Sequence, residues 1–150
     1  MKGSLWASKL LMFSLIVFAF CGKSYAENQY LLTTGFVSHH AKGEYRENNY
    51  GIGLEVRPNP QLSYNVGYYR NSLDRDSYYA GVQYRAITVG NFAFGGMVGA
   101  VTGYRHSITP MALPFVEWSY KRVVVMATAI PPIPGVTPFT MAVQLKWRFK

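Results

Sequence analysis

The sequence predicts an all-β protein, an eight-stranded antiparallel transmembrane β-barrel. Three observations carry that expectation: an export signal at the start of the chain, about eight short segments in which apolar and polar residues alternate, and no long helical period anywhere. In lipid every backbone polar group must find a partner inside the protein, and a closed barrel is one of two ways to achieve this.

The export signal is expected over residues 1–26. Lys2 and Lys9 make a basic start, Leu10 to Phe20 an apolar stretch too short to cross a bilayer as a helix, and Ser24-Tyr25-Ala26 a small-x-small cleavage site. A lipoprotein reading through Cys21 is weaker, because Phe20 stands where such signals want a small residue. Cleavage after Ala26 removes the only cysteine and leaves a single barrel domain, 27–150, without disulfide or thiol chemistry.

Losing Lys2, Lys9 and Lys23 from 15 basic side chains, against 7 acidic ones, leaves an excess of five positive charges. In a cytosolic chain this would suggest nucleic acid, but the signal sends the protein away from nucleic acid. The anionic partner expected at the cell surface is lipopolysaccharide, whose phosphates suit Arg and Lys at a barrel rim. A merely solvated basic surface is the alternative.

In chain order, strands are expected near Tyr30–His40, Asn49–Arg57, Leu62–Arg70, Ser77–Ala86, Asn91–Tyr104, Met111–Tyr120, Arg122–Ile130 and Phe139–Phe149. The last is the clearest. Val143, Leu145, Trp147 and Phe149 fall on one face and Gln144, Lys146 and Arg148 on the other, the lipid-out and lumen-in pattern of a closing strand. Most of the tyrosines and tryptophans suit interfacial girdles.

Topology then sorts the connections. A chain arriving from the periplasm alternates sides, with short turns inside and longer loops outside. Residues 57–61, Ile87–Gly90 and Tyr120-Lys121 read as periplasmic; Ala41–Asn48, Asn71–Asp76, Arg105–Pro110 and Pro131–Pro138 read as outer loops. All three histidines and the run from Arg70 to Asp76 therefore gather at the outer rim. His39 and His40 make a poor metal pair, since neighbours on a strand point to opposite faces, and His106 adds little. No metal or cofactor is expected.

The segment Gly67-Tyr68-Tyr69-Arg70-Asn71-Ser72-Leu73 followed by Tyr79-Ala80-Gly81-Val82 resembles a strand, loop and strand of the lipid A palmitoyltransferase (PagP) family. The stretch from Phe94-Gly95-Gly96-Met97 through Leu113-Pro114 and Ile130-Pro131 to Lys146-Trp147-Arg148-Phe149 is similar in order and spacing. The resemblance spans about residues 36 to 149. The chain is also similar to small barrel proteins encoded in bacteriophage genomes, whose functions are mostly unassigned.

The resemblance implies a monomeric outer-membrane acyltransferase that moves a fatty acyl chain from a phospholipid to the lipid A part of lipopolysaccharide. The family's histidine matches His40, and its adjacent aspartate and serine match Asn71 and Ser72. The amide at Asn71 is a departure, because Asn orients and hydrogen-bonds but cannot accept a proton as Asp does. Asp74, Asp76, Glu44 or Glu47 could supply a carboxylate instead. Ser72 could be a nucleophile or could position the acyl carbonyl while His40 activates the acceptor hydroxyl. Arg70, Arg75 and Lys42 could hold lipid phosphates. Against this, Asn-Ser-x-Asp is also ordinary turn chemistry.

In the same family a small residue on the following strand floors the acyl pocket; spacing from Ser72 and Gly81 puts that floor at Gln83. Alternation sets Ser77, Tyr79, Gly81, Gln83 and Arg85 on one face, where a buried amide and guanidinium need partners such as Glu55 or Glu117. A shallow pocket follows, which Gln83→Gly should lengthen. Prolines 110, 114, 131, 132, 134 and 138 cluster beside the last four strands; they either open gaps in strand pairing that admit lipid sideways, as in that family, or stiffen a loop. The family's N-terminal amphipathic helix has no counterpart, since only Glu27, Asn28 and Gln29 separate Ala26 from the first strand. The alternatives to transfer are a lipid A deacylase or phospholipase using water, and a noncatalytic barrel that masks the surface or excludes phage.

Overall fold

The computed structural model describes residues 27–132, 134 and 137–149. The expected signal, and part of the proline-rich loop, lie outside the described residues. Eight strands are present: β1 (Gln29–His40), β2 (Asn48–Arg57), β3 (Leu62–Arg70), β4 (Asp76–Val89), β5 (Phe92–Val101), β6 (Thr109–Tyr120), β7 (Val123–Ile130) and β8 (Thr140–Arg148). Each pairs antiparallel with the next, and β8 returns to β1 to close the barrel.

Period-two patterning explains why these segments form the wall. In β8, Ala142, Gln144 and Lys146 are buried while Met141, Val143, Leu145 and Trp147 are exposed. The same alternation in β4 buries Ser77, Tyr79, Gln83 and Arg85. Leu32, Val37, Ile52, Leu54, Val66, Val98, Val143 and Leu145 form an outward apolar belt. Aromatic rings flank it, with Tyr68 and Tyr78 near one end and the stacked Trp118 and Tyr120 near the other. This is the surface of a barrel solvated by lipid.

Connections 58–61, 90–91 and 121–122 sit at one end and 41–47, 71–75, 102–108 and the described residues between β7 and β8 at the other. The fourth strand runs further than the alternation suggested, to Val89, and turns at Gly90-Asn91 with Gly90 at φ +57°. The fifth stops at Val101 rather than Tyr104. There the chain leaves the wall because Ser77 Oγ donates to the Thr102 carbonyl at 2.6 Å, and Gly103, at φ +85°, turns it inward. Pro110 belongs to β6 and not to the loop; it faces Ala100 near the strand's start, where a missing N–H costs least.

A bulge in β1 shapes the upper lumen, and a second register shift lies between Arg85 and Ile87 of β4. The β1 register shifts between Thr34 and Phe36 against β2 and between Thr33 and Phe36 against β8, and a Cβ on Gly35 would collide with the Asn49 carbonyl oxygen. The extra residue re-aims β1 so that Phe36, Ser38 and His40 face inward.

The turn-end half of the lumen is filled by charge. Arg85 Nε donates to Glu117 at 2.7 Å and its Nη2 to Glu55 at 2.8 Å, the partners expected for it. Arg57 joins both carboxylates, at 2.6 Å to Glu55 and 3.1 Å to Glu117. Lys146 Nζ lies 2.6 Å from each acid. Gln83 pairs differently from expectation: its carbonyl oxygen accepts from Lys146 at 3.1 Å, and its amide nitrogen approaches the Met97 and Met126 sulfurs. Five buried ionisable groups paired in this way plug the barrel, with Arg85 Nη1 left buried and without a hydrogen-bond partner among the described residues.

Candidate functional site

Above the plug the lumen opens into a cavity of about 310 Å³, within the range of small-ligand pockets. Its lower wall is apolar and aromatic. Phe36 meets Tyr69 and Tyr79 edge-on at 5.2 and 6.0 Å, and Met97, Val101, Met111 and Leu113 add to the lining. Tyr79 fits because β2 and β3 present Gly53 and Gly67 opposite each other, and a Cβ on either would strike its ring end at 2.6 Å.

His40 and Ser72, matched by resemblance to catalytic positions, both line this cavity. They come from different elements, the end of β1 and the β3–β4 loop. The His40 ring stacks on Tyr45 at 4.4 Å with 23° between planes, and its Nδ1 is buried with no hydrogen-bond partner among the described residues. Ser72 shares the cavity lining with the Tyr104 phenol, which lies 2.9 Å from the Tyr69 hydroxyl. Burial pushes the Tyr104 phenol above its ordinary pKa, so it stays a protonated donor. The sequence pattern carries the fifth strand through Tyr104, whereas the structure ends it at Val101. The inward turn at Gly103 brings Tyr104 to the site, and a glycine beside a late strand residue was the only local signal.

Asn71 has a different place. It is fully buried, its Nδ2 donates to Ser77 Oγ and to the Gly103 carbonyl, each at 2.9 Å, and its Oδ1 accepts from the Leu73 and Arg75 amides at 2.9 and 3.0 Å. All four bonds are structural, tying the 71–75 and 102–108 loops together, so the amide is a loop hub beneath Ser72 rather than a group presented to substrate.

Three of the four carboxylates named as substitutes are committed elsewhere, and the fourth, Glu44, is exposed on the 41–47 loop. Glu47 accepts from His39 at 3.0 Å on the outer surface. Asp74 pairs with Arg46 and with Arg70 at 3.1 Å, and Asp76 with Arg70 at 2.9 Å and with the Tyr68 hydroxyl at 2.9 Å. Arg70 is thus the centre of an exposed ion-pair chain lashing the 41–47 and 71–75 loops, while Arg75 is exposed at the loop tip. His39 and His40 face opposite sides of β1, and His106 lies on the cavity mouth.

Gln83 does not floor the cavity. It lies one layer lower, among the plug side chains, and the lining at that depth is Met97 and Tyr79. Gly81 is also absent from the lining; a Cβ there would meet the Val98 carbonyl oxygen at 2.9 Å and Asn65 Oδ1 at 3.0 Å, so its smallness serves packing in the wall. Spacing along one strand identified the inward face but not the level, because depth depends on strand stagger around the barrel.

No family model and no curated protein matches the chain. Among solved structures it is similar to the outer membrane protein Ail of Yersinia pestis in a phospholipid bilayer nanodisc, with 15% identity over 82% of this chain and 100% of that one and a TM-score of 0.46. It is also similar to a de novo designed transmembrane β-barrel, with 12% identity over 84% of this chain and 99% of that one and a TM-score of 0.60. The likeness to the designed barrel is one of fold, and with the apolar belt it makes this chain a closed eight-stranded antiparallel barrel of the transmembrane kind.

Proposed function

We propose that this barrel is a lipid A acyltransferase of the PagP type, exported by a cleavable signal to the outer membrane, where it works as a monomer with its long loops facing outward. The observation that carries the reading is the cavity itself: a mostly apolar chamber of about 310 Å³ with His40 and Ser72 in its lining. The acyl chain of a phospholipid occupies the chamber with its ester at the rim. His40 takes the proton from an acceptor hydroxyl on lipid A as that oxygen attacks the ester carbonyl. The Ser72 and Tyr104 hydroxyls donate to the oxyanion, and the proton passes to the departing glycerol oxygen, releasing a lysophospholipid. The β6–β7 ladder runs from Tyr120 and Val123 to Phe115 and Thr128, leaving the proline-bearing start of β6 as a side entry for lipid.

One observation favours a barrel that binds lipid without turnover: Asn71 is spent on loop structure, and the carboxylates at 47, 74 and 76 bond other partners. Mass spectrometry of lipid A from cells expressing the chain separates the readings. Transfer adds one acyl mass, and His40→Ala lowers the yield by about 10²–10⁴-fold, the usual contribution of a general base. Loss of an acyl chain would mean hydrolysis. An unchanged spectrum with the folded barrel in the membrane would remove catalysis from the reading.

A further inference from the structure

The cavity wall is not uniformly apolar, and one of its buried polar spots pairs an amide with a hydroxyl and is unfinished. Asn49, on β2, and Ser38, on β1, are each 5% exposed and both line the chamber. Asn49 Nδ2 donates to Ser38 Oγ at 2.8 Å, while Asn49 Oδ1 is buried with no hydrogen-bond partner among the described residues. Phe36, Met111, Leu113 and Ala142 share the chamber's lining with the pair. A plain hydrocarbon chain seated here would leave the amide oxygen dry and unpaired, at a cost larger than the gain from an ordinary hydrogen bond.

Ser38 Oγ accepts from Asn49 and keeps its own O–H to donate, so the pair presents one acceptor beside one donor. An alcohol is the complement, because it donates and accepts through one oxygen. Rotating the Asn49 amide by 180° exchanges the roles and leaves the same complement. Ser38 lies two residues below His40 on the same face of β1, one strand repeat or about 7 Å beneath the rim. We infer that the cavity is built for a fatty acyl chain bearing a hydroxyl near its carboxyl end, held by Asn49 and Ser38. This rests on the acyl-chamber reading and names the class of chain.

The test is competition between tetradecanoic and 3-hydroxytetradecanoic acid, at equal concentration, for the barrel purified from membranes in detergent, read by native mass spectrometry. Ala142→Phe, which fills the chamber, reports nonspecific binding. A hydroxyl preference of about 5–10-fold is expected, the effect of one satisfied buried bond, falling to about onefold in Asn49→Leu with total occupancy kept. Ser38→Ala carries the same expectation should Asn49→Leu fail to fold. Equal binding of both acids in the chamber overturns the hydroxyl inference and leaves the acyl chamber standing. A preference that survives both substitutions overturns the assignment to this pair. Failure of either acid to bind the folded barrel overturns the acyl chamber as well.

Discussion

Arg85 and Glu117 meet across the lumen from β4 and β6, Nε to Oε2 at 2.7 Å, in a site where both side chains are at least nine-tenths buried. The pair belongs to a plug of three cations, Arg57, Arg85 and Lys146, against two carboxylates, Glu55 and Glu117. That imbalance makes the cost of truncation unequal. Glu117→Leu leaves three cations around one carboxylate and should cost about 3–5 kcal/mol, the range for breaking a buried pair. Lys146→Met leaves two against two and should cost clearly less. Urea unfolding in lipid vesicles checks the order, and equal losses would count against charge balance as the governing effect.

Asn71→Asp restores the residue the resemblance expects and should nevertheless harm the protein. A carboxylate at this position still accepts from the Leu73 and Arg75 amides. It would face the Gly103 carbonyl oxygen at 2.9 Å with nothing to donate, and Ser77 Oγ is already given to Thr102. Two lost bonds and an oxygen–oxygen repulsion predict about 2–3 kcal/mol of destabilisation, with faster proteolysis of the 71–75 and 102–108 loops. Higher acyl transfer in this variant would show that Asn71 reaches the substrate after all.

Chain length should respond to Met97 rather than Gln83. Met97 is the side chain between chamber and plug, so Met97→Ala deepens the chamber, and longer acyl chains should appear on lipid A. Gln83→Gly removes an acceptor from Lys146 one layer below and should lower stability with little change in chain selection. The mass spectrum of modified lipid A distinguishes the two variants directly.

The surface latch should open in acid. Hydrogen bonds from Arg70 and Arg46 hold the Asp74 carboxyl below its ordinary value of 3.8. A depressed folded pKa means stabilisation that is present above the ordinary carboxylate range and lost as pH falls through the folded value. Loops 41–47 and 71–75 should therefore loosen below about pH 4, seen as increased proteolysis of those loops by an acid-active protease. Asp74→Asn should remove most of that dependence, and an identical acid profile in the variant would refute the latch.

The barrel, the eight strands within a few residues, the inward faces of β4 and β8, and the need of Arg85 for Glu55 or Glu117 are all legible in the order of residues. These follow from a period of two, from turn chemistry and from the cost of burying charge, all readable along a local stretch. Residue order also places His40 and Ser72 at the same end, since strand alternation counts sides of the membrane. That Asn71 is a loop hub, that Met97 rather than Gln83 closes the chamber, and that Tyr104 and Asn49 belong to it emerges from the folded barrel alone. Those facts depend on the bulge at Gly35, on the stagger of strands around a closed wall, and on loops that fold inward. Each brings together residues distant in sequence, and alternation along a single strand carries no record of which level on the opposite wall a side chain will meet.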